Sequence, residues 1–201
     1  MKNIAIYIFN HVEVLDFAGP FEVFSTASRV SRKINPDLDA PFEVFTLGET
    51  QKKVTARGGL SVAPSYAIED HPPIDVLVIP GGIVNEEMAK PYIISWISSV
   101  AETAEITASV CTGAFLLGKA GLLKNKKATT HWEDIADLRA LLPDTEILEN
   151  IRWIDEGRVL TSAGISAGID MSLYIVSRQN GKELAEKTAR QMEYDWRDKE
   201  K

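Results

Sequence analysis

Cys111 is the only cysteine of this 201-residue chain, and its surroundings are typical of a catalytic nucleophile. A β-branched, apolar run precedes it, small residues flank it at Ser109 and Gly113, and a second apolar run follows. A strand that turns sharply into a helix in this way is the nucleophile-elbow pattern, with cysteine in place of serine. A lone cysteine can also be a small buried apolar residue, but this context favours a reactive thiol. The N-terminus of the following helix is expected to lower its pKa.

Asp16 is the second candidate, a carboxyl group in an apolar stretch that leads to Gly19 and Pro20. In one interpretation it caps the helix that the Gly-Pro pair would begin. In the other it lies beside the thiol, where burial and a neighbouring negative charge would raise its pKa and let it give a proton to sulfur or substrate. The sequence leaves both interpretations open. Glu13 or Glu22 would take the acid role if Asp16 lay too far from the thiol.

Main-chain N–H groups near the cysteine could stabilise developing negative charge. Gly81 and Gly82 follow an apolar run that predicts a buried strand, and Thr112 directly follows the cysteine. The glycines could merely serve a turn. They could also bring their N–H groups, together with that of Thr112, to an oxyanion hole, with Gly113 on the same substrate-binding surface. The Thr112 hydroxyl could orient water or substrate, or make a local hydrogen bond at the start of the helix.

Two histidines are further candidates for this site. His11 lies in the loop after the first predicted strand, and His131 follows two threonines. His11 is expected near the site, and His131 could act as a base for Cys111, with a hydrogen-bonded structural histidine as its alternative. The spacing of His, Cys, Asp and Glu resembles no zinc or iron site, and no glycine-rich phosphate-binding motif is present. We therefore expect neither a metal nor an organic cofactor.

Short apolar, β-rich runs alternate with segments of helical period along the whole chain. Predicted strands cover residues 4–9, 42–47, 75–79, 106–110, 146–148, 151–154 and 159–161, and predicted helices cover 23–30, 92–103, 132–142, 166–179 and 182–196. A hairpin is expected around Gly58 and Gly59. This alternation predicts an α/β fold with a doubly wound, mostly parallel sheet sandwiched by helices. In such sheets the site lies beyond the C-terminal ends of the strands.

Length, composition and charge limit the class of protein. A chain with 45% hydrophobic and 25% charged residues is expected to form one globular domain over residues 1–201. The net charge of −7 and the lack of a basic stripe argue against nucleic acid or an anionic membrane as the main partner. No apolar run is long enough to predict a membrane span. A single cysteine and no recognisable signal peptide predict a cytoplasmic protein.

Six motifs together resemble the DJ-1/PfpI superfamily, also called ThiJ/PfpI, whose domains are similar to class I glutamine amidotransferases. The motifs lie at residues 15–20, 76–82, 109–113, 118–123, 128–132 and 164–170. Within the superfamily the chain looks most like the isocyanide hydratase branch and the ligand-sensing domains of AraC-type regulators. The resemblance implies a flavodoxin-like sandwich, a homodimer, Cys111 on the elbow, Asp16 as the acid and Thr112 beside the nucleophile.

Three departures from other branches narrow the expected activity. Protease-like members carry histidine where this chain has Thr112, amidotransferases carry a late His-x-Glu pair that residues 164–170 lack, and DJ-1 itself uses glutamate where this chain offers Asp16. We therefore expect hydration of a small apolar electrophile, specifically of an isocyanide to an N-formamide. The alternatives are a glyoxalase or DJ-1-like redox-sensing protein, and a non-catalytic module that binds a small ligand.

Overall fold

A central sheet lies between two groups of helices in the computed structural model, which describes residues 1–198. Within this range the strands are β1 (Lys2–Tyr7), β2 (Phe42–Gly48), β3 (Val54–Thr55), β4 (Ser61–Val62), β5 (Tyr66–Ala67), β6 (Val76–Ile79), β7 (Ile106–Val110), β8 (Lys127–Ala128), β9 (Glu146–Ile147), β10 (Trp153–Asp155) and β11 (Val159–Ser162). The helices are α1 (Val14–Ile34), α2 (Asn85–Met88), α3 (Pro91–Thr103), α4 (Gly113–Lys119), α5 (Ile135–Leu141), α6 (Ala167–Asn180) and α7 (Lys182–Gln191).

The strand order of the main sheet is β10-β11-β7-β6-β1-β2-β5. Six of these strands are parallel, and the edge strand β10 runs antiparallel to β11. Because β2 lies on one side of β1 and β6 on the other, the winding reverses between β1 and β6, where ligand sites of such sheets form. The predicted doubly wound, flavodoxin-like α/β fold is confirmed.

The central strands are buried on both faces. Every residue of β6 and β7 is buried, because α1, α6 and α7 pack together while α2 to α5 form the other group. This double cover explains why these strands read as continuous apolar runs rather than as alternating ones. The hairpin formed by β3 and β4 stands apart from the main sheet and confirms the turn expected at Gly58 and Gly59.

Helix α1 differs most from the sequence-based expectation. It begins at Val14, so Gly19 and Pro20 lie inside the helix and the start predicted after them is wrong. Pro20 has no N–H, so the Asp16 carbonyl lacks its usual helical partner while the helix continues. Gly19 is needed where α1 meets α6, because a Cβ there would lie 2.9 Å from the Ile169 side chain. Asp16 is therefore a helical residue and not a cap.

Other differences concern short elements and ends. Helix α7 ends at Gln191 rather than at the predicted residue 196, and the predicted helix over 132–142 is a 3₁₀ turn, Trp132–Asp134, followed by α5. The sequence did not predict α2, β5 or β8, since elements of two to four residues have too few positions to show a period.

Candidate functional site

The predicted nucleophile elbow is present at Cys111. The cysteine has a φ of 56°, a left-handed conformation that non-glycine residues rarely adopt, between the end of β7 and the start of α4. Gly113 is required by close packing, because a Cβ there would lie 2.1 Å from the Ile79 carbonyl oxygen. The elbow therefore depends on a strained cysteine and on a glycine that lets the chain turn against β6.

Asp16 lies beside the thiol, as the second of its two interpretations requires. Its side chain is fully buried, and the charge of its carboxyl group acts directly on the Cys111 thiol. Oδ2 accepts a hydrogen bond from the Gly81 N–H at 3.1 Å, whereas Oδ1 has no hydrogen-bond partner. Of the two substitutes considered, Glu13 reaches the pocket, and Glu22 bonds Thr26 on the outer part of α1.

The ionisation of the two groups is linked. Burial raises the pKa of Asp16 to about 7, and the hydrogen bond from Gly81 only partly offsets this effect. Burial, followed by the charge of Asp16, raises the pKa of Cys111, although the Thr112 N–H lowers it. The low thiol pKa expected from the elbow is therefore wrong, because the burial of the sulfur and the Asp16 charge oppose ionisation more than the seven-residue helix α4 favours it. The pair therefore loses its first proton near pH 7 and keeps its second proton above that pH.

Gly81 packs directly against the nucleophile, but its N–H is already used by Asp16. A Cβ at Gly81 would lie 2.6 Å from the Thr112 nitrogen and 2.8 Å from the Cys111 Cβ. The N–H of Gly82 donates to the Thr112 hydroxyl at 2.9 Å, and that hydroxyl donates to the Gly82 carbonyl. The expectation that both glycine N–H groups point into an oxyanion hole is therefore wrong in this state. The Thr112 hydroxyl holds the elbow to the 81–82 turn.

The thiol opens into a small cavity of about 180 Å³. Its lining residues are mainly polar, and they are Glu13, Arg57, Gly82, Cys111, Thr112, His131, Glu133, Asp134 and Ile165. The Arg57 guanidinium lies 3.3 Å from the Glu13 carboxylate. This wall is mainly polar, although the sequence led us to expect a small apolar substrate. Residues such as Arg57 come from distant loops, and nothing in their local sequence marked them as site residues.

His131 lies next to the thiol, and His11 does not. A Cβ placed on Gly164 would lie 2.2 Å from His131 Cδ2 and 3.2 Å from Cys111 Sγ, so both side chains border the same point. His131 Nδ1 accepts a hydrogen bond from the Glu133 N–H and lies 3.5 Å from the Asp134 carboxylate. The His11 side chain is exposed and does not line the cavity, so its expected place at the site is wrong.

Two negative findings apply to residues 1–198. No group of three or more His, Cys, Asp or Glu side chains in this range is arranged to hold a metal ion. None of the helices that the structure describes combines the length and the apolar character needed to cross a membrane.

Comparison with known proteins places the chain in a family. The model of the DJ-1/PfpI family matches residues 2–178. Isonitrile hydratase of Pseudomonas putida is 33% identical over 195 residues, which cover 96% of this chain and 78% of that enzyme. The transcriptional regulator GbdR of Pseudomonas aeruginosa is 25% identical over 92% of this chain, which spans about half of the regulator's length, 48%.

Solved structures agree with this assignment. A ThiJ/PfpI family protein from Pseudomonas syringae superposes with a TM-score of 0.83 at 26% identity, covering 96% of this chain and 75% of that one. DJ-1beta of Drosophila melanogaster, 18% identical, shares the fold with a TM-score of 0.80 over 97% of this chain and 99% of its own. The chain therefore belongs to the DJ-1/PfpI family.

Proposed function

We propose that this DJ-1/PfpI family member is a cysteine-dependent hydratase that converts small isocyanides into N-formamides. The observation that carries the proposal is the buried Asp16 carboxyl, which has one oxygen without a hydrogen-bond partner and lies beside the Cys111 thiol. Such a pair can move one proton between sulfur and substrate. Hydration of an isocyanide needs no more than this, because no leaving group other than the thiol has to be protonated. The similarity to isonitrile hydratase supports the same reaction.

The first half of the proposed reaction forms a covalent adduct. Asp16 accepts the thiol proton while the sulfur of Cys111 attacks the terminal carbon of R–N≡C, forming the C–S bond. Asp16 then returns that proton to the same carbon, giving a thioimidate, Cys111–S–CH=N–R. A pKa of about 7 suits Asp16 for both directions of transfer near neutral pH.

The second half releases the product with water. Water adds across the C=N bond, so that carbon carries a hydroxyl group and nitrogen gains a proton. The hydroxyl proton passes to the departing sulfur, by way of Asp16, as the C–S bond breaks. The product is R–NH–CHO and the thiol is restored, so the sum is one water added per isocyanide. The Thr112 N–H, which favours the thiolate, stabilises the sulfur each time it carries charge.

The cavity limits the size of the substrate. The cavity next to the sulfur has a volume of about 180 Å³, which accommodates an isocyanide with a small R group. Ile165 gives the cavity wall an apolar surface against which that group can pack. Arg57 and Glu13 satisfy each other's charge at the mouth, so they present a polar rim without a net charge.

The direct experiment follows formamide formation from a short aliphatic isocyanide. Wild-type protein is expected to turn over, and Cys111→Ala and Cys111→Ser are expected to lose at least about 10³-fold in rate. Thr50→Ala, on an exposed bend away from the cavity, is the matched control and should retain the wild-type rate. Formamide production by Cys111→Ala at the wild-type rate would contradict the proposal.

Conversion of 2-oxoaldehydes such as methylglyoxal is the second candidate, and His131 is the observation that favours it. Rearrangement of a thiohemiacetal to a thioester moves a proton between adjacent carbons, and an imidazole beside the thiol could carry it. His131→Gln is then expected to abolish methylglyoxal conversion and to spare isocyanide hydration. Turnover of methylglyoxal alone would favour this candidate. Turnover of neither, with tight binding of a small ligand, would favour a ligand-sensing role like that of a regulator domain.

We propose in addition that the chain works as a cytoplasmic homodimer. Leu15, Leu60 and Ile165 are exposed apolar side chains on α1, the hairpin and the cavity wall, and pairing of two copies would remove them from water. Light scattering is expected to give twice the chain mass of 22.2 kDa. A single-chain mass at micromolar concentration would contradict this expectation.

A further inference from the structure

Arg152 lies outside the Cys111 cavity but holds both ends of the loop that forms one of its walls. The loop comprises residues 163–166, between β11 and α6. At its start, the Ala163 N–H donates to the Arg152 carbonyl at 2.9 Å. At its end, the Arg152 guanidinium donates to the Ser166 hydroxyl at 3.3 Å. One residue thus fixes the loop through its main chain and its side chain together.

The same loop sets the space around the sulfur. Ile165 lines the cavity, and Gly164 faces Cys111 so closely that an added Cβ would lie 3.2 Å from Sγ. It would lie 2.2 Å from the His131 ring on the other side. Reaction geometry tolerates little displacement, since a shift of about 1 Å can cost about 100-fold in rate. A small movement of this loop would therefore change both access to the thiol and the volume left for a substrate.

The guanidinium is itself anchored on a buried carboxylate. Asp170, in the first turn of α6, has no exposed surface, and its Oδ2 accepts hydrogen bonds from Arg152. Its Oδ1 accepts from the Arg197 main-chain N–H at 3.1 Å, and its carbonyl accepts from the Trp196 indole N–H at 3.2 Å. The segment 194–197, which follows the last helix, thus closes over the anchor from outside.

We propose that Arg152 is a positioning residue for Cys111, and that docking of segment 194–197 on Asp170 stabilises the position it imposes. Arg152 touches neither the thiol nor the cavity, and acts only through residues 163–166. The turnover part of this proposal rests on the proposed function, whereas its geometric part, the position of the loop against Cys111, does not.

The test compares Arg152→Gln with Arg178→Gln. Arg178 also lies on the α6 side of the sheet and forms an ion pair of 3.0 Å with Asp155, but it binds Asp155 and the Gly157 carbonyl and makes no contact with residues 163–166. Two rates are measured for each: alkylation of Cys111 by iodoacetamide under native conditions, and isocyanide hydration with kcat and KM separated. Melting temperatures establish that the compared proteins are folded.

Arg152→Gln is expected to raise the alkylation rate at least about five-fold and to lower kcat/KM about 10- to 100-fold, with both KM and kcat affected. Arg178→Gln should change each rate less than about two-fold, even where its melting temperature falls equally. Arg152→Lys, which keeps the charge but not the two-pronged donor, should restore part of the effect. Equal alkylation rates in Arg152→Gln and Arg178→Gln would overturn the proposal, whether or not the chain hydrates isocyanides.

The C-terminal segment is tested by Trp196→Phe, which removes the indole donor to Asp170 and keeps an aromatic ring. The expected result is a change in alkylation in the same direction as Arg152→Gln but smaller, about two-fold. An unchanged alkylation rate in this variant would overturn the role assigned to segment 194–197.

Discussion

Asp16 and Asp170 are both completely buried, yet their surroundings are opposite. Asp170 accepts bonds from the Arg152 guanidinium and from the Arg197 N–H, so both of its oxygens are used. Asp16 has a single N–H donor, from Gly81, and an oxygen with no nitrogen or oxygen partner beside a thiol. A buried carboxylate whose oxygens are both hydrogen-bonded stabilises the fold, whereas a buried carboxylate with an unpaired oxygen needs a functional explanation.

The two aspartates also differ in the positive charges that lie near them. No cation pairs with Asp16, and burial raises its pKa to about 7. The Arg57 charge lowers that pKa only slightly, because the guanidinium is half-exposed and paired with Glu13. Asp170 lies against a guanidinium that compensates its charge. The fold therefore pairs one aspartate with a cation and leaves the other able to exchange a proton within the physiological range.

The largest expected effect is on catalysis at Asp16. Asp16→Asn keeps the shape and the bond from Gly81 to an oxygen but cannot take up a proton, so kcat for isocyanide hydration should fall by about 10² to 10⁴. The assay is formamide production, with Asp155→Asn as the control outside the cavity. A variant that retained wild-type turnover would remove Asp16 from the mechanism and leave Glu13, which lines the cavity, as the next candidate for the acid.

At Asp170 the main expected effect is a loss of stability rather than a loss of catalysis. Asp170→Asn leaves the Arg152 guanidinium without its counter-charge in a mostly buried place, which should cost about 3–5 kcal/mol of unfolding free energy. Chemical denaturation measures this loss. Asp155→Asn, which breaks the more exposed pair with Arg178, should cost less. Equal losses in the two variants would contradict the distinction between an anchored and an exposed pair.

The next expected effect is a dependence of stability on pH that comes from Asp16. Since the pKa of Asp16 is raised on folding, its protonated form contributes stability that is fully present below the unfolded pKa of about 4. That contribution is lost as the pH rises through about 7. We therefore compare the unfolding free energies of the wild type and Asp16→Asn. The value for the wild type minus that for the variant should fall by a few kcal/mol between about pH 4 and 7 and then level off. A pH-independent difference between the two proteins would contradict a raised pKa.

Local patterns predicted the elbow and the fold correctly. The apolar runs of β6 and β7 and the small residues around Cys111 lie within a few positions of one another, so short-range rules suffice for them. The same rules misplaced the start of α1, because Pro20 is tolerated inside a helix whose packing against α6 outweighs one missing hydrogen bond.

The rest of the site depends on contacts between distant parts of the chain. Arg57, Asp134 and Ile165 come from a hairpin, a 3₁₀ turn and a loop that only the folded sheet brings together. The N–H of Gly81 could not be assigned from sequence either, because its acceptor, Asp16, lies 65 positions away. The pKa of Cys111 was mispredicted for the same reason: burial and the charge of Asp16 are properties of the packed site.

The rate of Cys111 alkylation by iodoacetamide, measured from pH 5 to 10 in the wild type and in Asp16→Asn, tests the linked ionisation of Asp16 and Cys111 most directly. No other cysteine contributes to the signal. The wild-type rate is predicted to rise through an inflection near pH 7, where the pair loses its first proton, and that inflection should be absent from Asp16→Asn. Identical profiles in the two proteins would contradict the coupling of Asp16 to Cys111.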